Sequence, residues 1–142
     1  MFLTTYLIVK DMTASVAFYK TFLGVEPAGG CPERFAVFDI GNTSIALYNP
    51  GYDEVLIESG QDLSGHFNTA YLEDKKRPVN YGNHVILNIG VEDLAAEYNR
   101  VKRLNIGAVS EIMYVNIAMP YYFFNLYDPD GTCIEITGRY QP

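Results

Sequence analysis

"LIVKDMTASVAFYKTFLGVEP", residues 7–27, reads as a strand, a helix and a stop in one line. The apolar run to Val9 has strand character. Asp11 stands where an N-cap side chain accepts from the first free helical N–H groups. Val16, Tyr19 and Leu23 then fall on one stripe, widened by Phe22, and Gly24 suits the left-handed residue that ends a helix. The same line recurs as "IGVEDLAAEYNRVKRLNIGA", residues 89–108. Val9-Lys10-Asp11-Met12 meets Val91-Glu92-Asp93-Leu94 at an offset of 82, Ala14 meets Ala96, and Gly24 meets Gly107 after a one-residue slip. Leu94, Tyr98, Val101 and Leu104 give the second stripe, Asp93 the second cap and Gly107 the second stop. Such self-similarity predicts a duplicated module.

Strand signals follow each helix. "RFAVFDIGNTSIALYNP", 34–50, holds two runs hinged at Gly41-Asn42, and "YYFFNLYDPDGTCIEITG", 121–138, holds two hinged at 128–131. Pro and Gly suit the second turn, and Asp side chains brace it. A further strand is expected within 109–119, with a short counterpart near 26–32. Each half therefore reads strand-helix-strand-strand-strand. Residues 1–50 form a first module, 83–142 a second, and 51–82 a linker, within one compact α+β domain. The linker is long for a compact domain; it has room for a short helix or strand and for draping over a partner or a pocket. Its run Lys75-Lys76-Arg77, directly after Glu73 and Asp74, mixes signs and reads as a solvated loop.

Strand residues alternate faces. Leu3, Leu7 and Val9 oppose Thr4, Tyr6 and Ile8; Ile45 and Leu47 oppose Ser44, Ala46 and Tyr48. Leu87, Ile89 and Val91 oppose His84, Ile86, Asn88 and Gly90, and Ile134 and Ile136 oppose Cys133, Glu135 and Thr137. One face is aliphatic and belongs under the helices. The other is polar, small and aromatic, which predicts curled mixed sheets around a ligand-lined cleft with helices on the outer face. In "YVNIAMPYYFFN", 114–125, Tyr114, Tyr121 and Tyr122 suit stacking on a planar ligand, with Met119 filling a gap. Packing at a module or dimer interface is the alternative for the same residues.

Composition narrows the function. The 142 residues are 49% hydrophobic and 19% charged, with a formal net charge of −7. Such a chain buries a core, and its acidic surface repels phosphate backbones, which excludes nucleic acid as an expected partner. Cys31 and Cys133 are isolated and read as reduced, as in a cytoplasmic protein. The N-terminal run reads as a strand and not a signal peptide, and no apolar run approaches the ~20 residues of a membrane helix. Neither a P-loop nor a GxGxxG is present. His66 and His84 are the only histidines, and neither has an adjacent nucleophile. No catalytic residue is assigned.

The segment "VKDMTASVAFYKTFLG", 9–24, and the hairpin "DPDGTCIEI", 128–136, together resemble the vicinal oxygen chelate superfamily, which includes glyoxalase I, bleomycin-resistance proteins and extradiol dioxygenases. The resemblance implies paired βαβββ modules whose sheets curl around a cleft, usually in a homodimer. It also implies a divalent metal held at four positions, carried here onto Thr4, Ala46, Ile86 and Glu135. The first and third are normally His or Gln and the second Glu, so only Glu135 matches. A methyl group and a branched alkyl chain offer a cation no donor. The expectation is therefore a cofactor-free binder of a small planar or aromatic molecule, as in antibiotic or toxic-compound sequestration. Its ligand-binding residues are Thr4, Tyr6, Ala46, Tyr48, His84, Ile86, Asn88, Tyr114, Tyr122 and Glu135. The alternative is an enzyme, a glyoxalase I-type lyase acting on a glutathione adduct or a dioxygenase-like activity, with zinc or nickel on Glu135 and His84 and further ligands borrowed from His66 or a partner chain. A member with a vestigial cleft is a third reading.

Overall fold

The computed structural model describes residues 4–82, 84–116 and 120–142. Leu3 and Met119 lie outside them. The duplication read from the sequence is present as two four-stranded mixed sheets. In the first module β1 (Thr5–Ile8) leads into α1 (Met12–Leu23), then β2 (Ala28–Cys31), β3 (Phe35–Ile40) and β4 (Thr43–Tyr48). The second module repeats this with β5 (Ile86–Asp93), the second module helix, called α4 because two linker helices precede it, β6 (Met113–Asn116), β7 (Pro120–Tyr127) and β8 (Cys133–Arg139); α4 spans Leu94–Leu104. The sheet orders are β1-β4-β3-β2 and β5-β8-β7-β6. In each, the first strand pairs parallel with the last and the others pair antiparallel.

The caps work as expected at the helix starts. Asp11 accepts from the Ala14 N–H and Asp93 from the Ala96 N–H, both at 2.9 Å, which satisfies amides that have no partner within the helix. The helix ends differ. Gly24 closes α1 in the left-handed region at φ 70°. Asn105, not Gly107, takes that conformation at the end of α4, at φ 50°. Asn tolerates the left-handed region better than most side chains. Gly107 serves packing instead: a Cβ there would run into the Tyr127 carbonyl oxygen, with Phe18 Cε2 at 3.1 Å.

The aliphatic faces of both sheets share one core. Leu7, Val9, Phe38 and Leu47 meet Phe18, Tyr19 and Phe22 of α1; Phe124, Leu126, Ile134 and Ile136 meet Leu94 and Val101 of α4. The buried stripe of α1 is rotated from the expected one, because Phe18 is fully inside while Val16 and Leu23 are only partly covered. Helices α1 and α4 touch. The Tyr19 hydroxyl donates to Asp128 Oδ2 at 2.9 Å, Arg100 Nη2 donates to the Phe22 carbonyl at 3.2 Å, and the Lys10 N–H reaches the Asp130 carboxylate at 3.3 Å. These module-joining contacts lie on the helix side, which leaves the mixed face of each sheet open. The linker carries α2 (Pro50–Glu58) and α3 (Thr69–Asp74), capped by Asn49 and Asn68. Among the described residues no helix is long and apolar enough to cross a membrane.

Candidate ligand-binding site

On the open face of the second sheet the strand register aligns Asn88, Glu135 and Asn125 in one row. Asn88 Nδ2 donates to Glu135 Oε1 at 2.7 Å. The carboxylate that interrupts the aliphatic run of β8 is thus a half-buried acceptor on the ligand-facing side. The next row is Ile86, Cys133 and Tyr127, and Ile86 is 63% exposed.

The same register moves two sequence-expected residues to the other side. Tyr122 aligns with Gly138, two positions from the buried Phe124–Ile136 pair, and Tyr114 aligns with Tyr122. Both stand on the helix-bearing face, where Tyr122 packs against the core and against Tyr140 at 5.1 Å. Tyr121 and Phe123 have the opposite parity and stack at 5.3 Å on the open face. Side-chain period in a strand is 2, so one residue of register decides the face.

The donor set does not fit the metal that the fold family implies. Thr4 Oγ1 lies 3.3 Å from Ser44 Oγ, on the open face of the first sheet. Ala46 is buried, Ile86 has no donor atom, and Glu135 is hydrogen-bonded by an amide. His84 precedes β5 by two residues and donates its backbone N–H to Gly82 O at 2.8 Å. It stands four positions before Asn88, the strand partner of Glu135, which is about 13 Å if the chain is extended. Among the described residues no group of three or more His, Cys, Asp and Glu side chains is arranged to hold an ion.

A groove forms on the open face of the first sheet, under the linker. Ile8, Tyr48 and Phe35 align across β1, β4 and β3, and Tyr6 aligns with Ala46 in the next row. Tyr6 and Phe35 rings lie 5.0 Å apart. The groove has two lobes that share Tyr6, Tyr48 and Lys75. The His84 lobe, about 420 Å³, adds Ile8, Glu54, Arg77 and His84. The Arg34 lobe, about 400 Å³, is lined by Tyr6, Arg34, Phe35, Tyr48, Tyr71 and Lys75. Of the sequence-expected site residues, Tyr6, Tyr48 and His84 line this groove, and Thr4 and Ala46 stand on the same sheet face. Ile86, Asn88 and Glu135 belong to the other sheet's open face.

One carboxylate organises the groove wall. Asp53, in the first turn of α2, is 0% exposed. Its Oδ1 accepts from Arg34 Nε at 2.7 Å, and its Oδ2 accepts from Arg34 Nη2 at 3.1 Å, Tyr48 OH at 2.7 Å and Tyr71 OH at 2.6 Å. Lys75 Nζ stands 3.5 Å from the same Oδ2 and donates to the Tyr48 hydroxyl. Burial alone would raise the Asp53 pKa; the bonds from Arg34, Tyr71 and Tyr48 outweigh it and hold the group down to about 2. Burial and the Asp53 bond push Tyr71 up to about 12, and burial also raises Tyr48. Asp53, Arg34, Tyr71 and Lys75 have no place in the sequence-based site. The run 75–77 is not uniformly solvated, as its mixed signs imply: Lys76 pairs with Glu73 at the surface, but Lys75 is only 14% exposed. The one sequence signal for this network is Asn49-Pro50, a helix start that puts Asp53 in the first turn.

Comparison with known proteins agrees with the geometry. The profile of the Glyoxalase/Bleomycin resistance protein/Dioxygenase superfamily matches residues 2–136. Among solved structures, a hypothetical protein from S. aureus superposes with a TM-score of 0.66 at 19% identity, covering 98% of this chain and 94% of the other. A lactoylglutathione lyase from Agrobacterium tumefaciens gives 0.65 at 20% identity, with coverages of 97% and 92%. The fosfomycin resistance protein FosX from Mesorhizobium loti gives 0.59 at 13%, with coverages of 99% and 92%. At these identities the likeness is one of fold. No curated protein matches the sequence significantly.

Proposed function

The chain belongs to the Glyoxalase/Bleomycin resistance protein/Dioxygenase superfamily, and from that premise we propose that it binds a small planar, aromatic molecule without a metal and without covalent chemistry. Sequestration of an antibiotic or another toxic compound is the role this implies. The observation that supports the reading is the groove on the first sheet, where Tyr6, Phe35, Tyr48 and Tyr71 present four rings around a cavity of about 400 Å³. That volume lies in the range of small-molecule sites, and tyrosine supplies both a stacking face and a hydroxyl. The donor set described above supports this reading over the lyase, which would need ligands beyond Glu135 and His84, from His66 or a partner chain. A homodimer is part of the proposal; the exposed Ile86, Tyr121 and Tyr127 offer apolar surface for it.

The test is ligand-detected NMR on chelator-treated protein with 2-naphthol as a neutral planar probe. Saturable binding that weakens in Tyr6→Ala supports the proposal. Absence of binding by any planar aromatic probe, or lactoylglutathione turnover on adding Zn²⁺ or Ni²⁺ that Glu135→Gln abolishes, overturns it.

A further inference from the structure

We infer that the Arg34 lobe selects an aromatic anion, a ring bearing a carboxylate, over neutral or cationic rings. The inference rests on the aromatic-binding reading and specifies its ligand class. Among the described residues the charges lining this lobe are both positive, Arg34 and Lys75. Asp53 behind the wall supplies one negative charge to both, and Arg34 takes it in two-point geometry at 2.7 and 3.1 Å. Lys75 is left with the longer 3.5 Å approach. One positive charge thus remains in excess, on an ammonium that is 14% exposed. A mostly buried ammonium that shares its counter-ion with a guanidinium is only partly compensated, so a ligand carboxylate gains more there than at the surface.

The rings fix where that carboxylate sits. Lys75 Nζ lies 4.7 Å from the Tyr48 ring centre and 5.6 Å from that of Tyr71. A ligand ring packed beside Tyr6 and Phe35 would carry a carboxylate toward that ammonium. The His84 lobe differs in that a carboxylate, Glu54, lines it beside Lys75 and Arg77, so an anion entering there meets a like charge on the wall. The chain's net charge of −7 opposes anion binding, but as a distant field screened by salt it is weaker than the adjacent ammonium.

The experiment measures affinities of 2-naphthoate, 2-naphthamide and 2-naphthylmethylammonium for the whole protein by calorimetry. The expected order is carboxylate first, by about tenfold or more over the amide, the scale of one charge-assisted hydrogen bond. Lys75→Met is expected to bring carboxylate and amide to similar affinity, and Lys75→Arg to restore the preference. The wild-type ratio stands even if Lys75→Met fails to fold. Equal affinities in the wild type, or preference for the ammonium, would overturn the anion inference and leave aromatic binding intact. Failure of all the probes would overturn both.

Discussion

Replacing Asp53 with Asn keeps the shape of the groove wall and removes its charge. Arg34 and Lys75 then face each other's field without a counter-ion, and one acceptor oxygen becomes a donor where four donors converge. Removing one partner of a buried pair costs about 3–5 kcal/mol. Arg34 is 33% exposed, so water recovers part of that loss, and the remaining amide oxygen still accepts. The expected destabilisation is about 2–3 kcal/mol. At about 2.1 cal/mol/K per residue, a chain of this length has an unfolding entropy near 0.3 kcal/mol/K, so the melting temperature should fall by about 7–10 °C. The pH dependence carries a second signature. Asp53 titrates ordinarily at 3.8 and is held down to about 2 by folding. A depressed carboxylate stabilises the fold above its unfolded pKa and loses that contribution as pH falls through its folded one, here between about 4 and about 2. The shift corresponds to roughly 2 kcal/mol. Thermal and urea melts from pH 7 to pH 2 should show Asp53→Asn both less stable at neutrality and less acid-sensitive below about pH 4. Amide exchange should quicken through 50–75, the segment that the network ties to the sheet. A variant that melts within about 2 °C of the wild type with the same acid limb would refute the reasoning.

Three further outcomes follow from the packing and the tyrosines. Gly107→Ala should cost about 1–3 kcal/mol, because the new methyl group meets the Tyr127 carbonyl and Phe18; urea denaturation checks this. Tyr19→Phe should cost about 1–2 kcal/mol by removing a donor to buried Asp128, a modest loss because Asp128 keeps the Asp130 and Thr132 N–H groups. Tyr71 is pushed from 10.0 up to about 12, so its contribution is intact below about pH 10 and lost as pH rises through about 12. Alkaline melts of Tyr71→Phe should decline less steeply in that window than those of the wild type.

The parts of this fold legible in the sequence are those fixed by near neighbours. Asp11 and Asp93 cap amides three residues away, and strand alternation places Leu7 and Ile134 inside with Tyr6 and Glu135 outside. The hairpin at 120–139 is legible as two strands, but its face assignment is not. Its parity depends on how the turn closes on Asp128, so Tyr114 and Tyr122 fall on the helix-bearing face while Tyr121 keeps the open face together with Phe123. The Asp53 network is further from reach. Its bonds join residues 19, 5 and 18 apart from three different elements. A lysine in a sign-mixed run gives no sign that it will fold inward beneath two tyrosines. The lack of donor atoms at Ala46 and Ile86 is a matter of residue identity and holds whatever the geometry.

The central claim is that this cleft recognises an aromatic guest through its own side chains, with no ion between them. Calorimetric titration of 2-naphthoate into protein stripped with chelator, repeated after one equivalent of Zn²⁺ is restored, tests it most directly. The account predicts saturable binding of the same affinity in both. Binding that appears only with the ion present would contradict it.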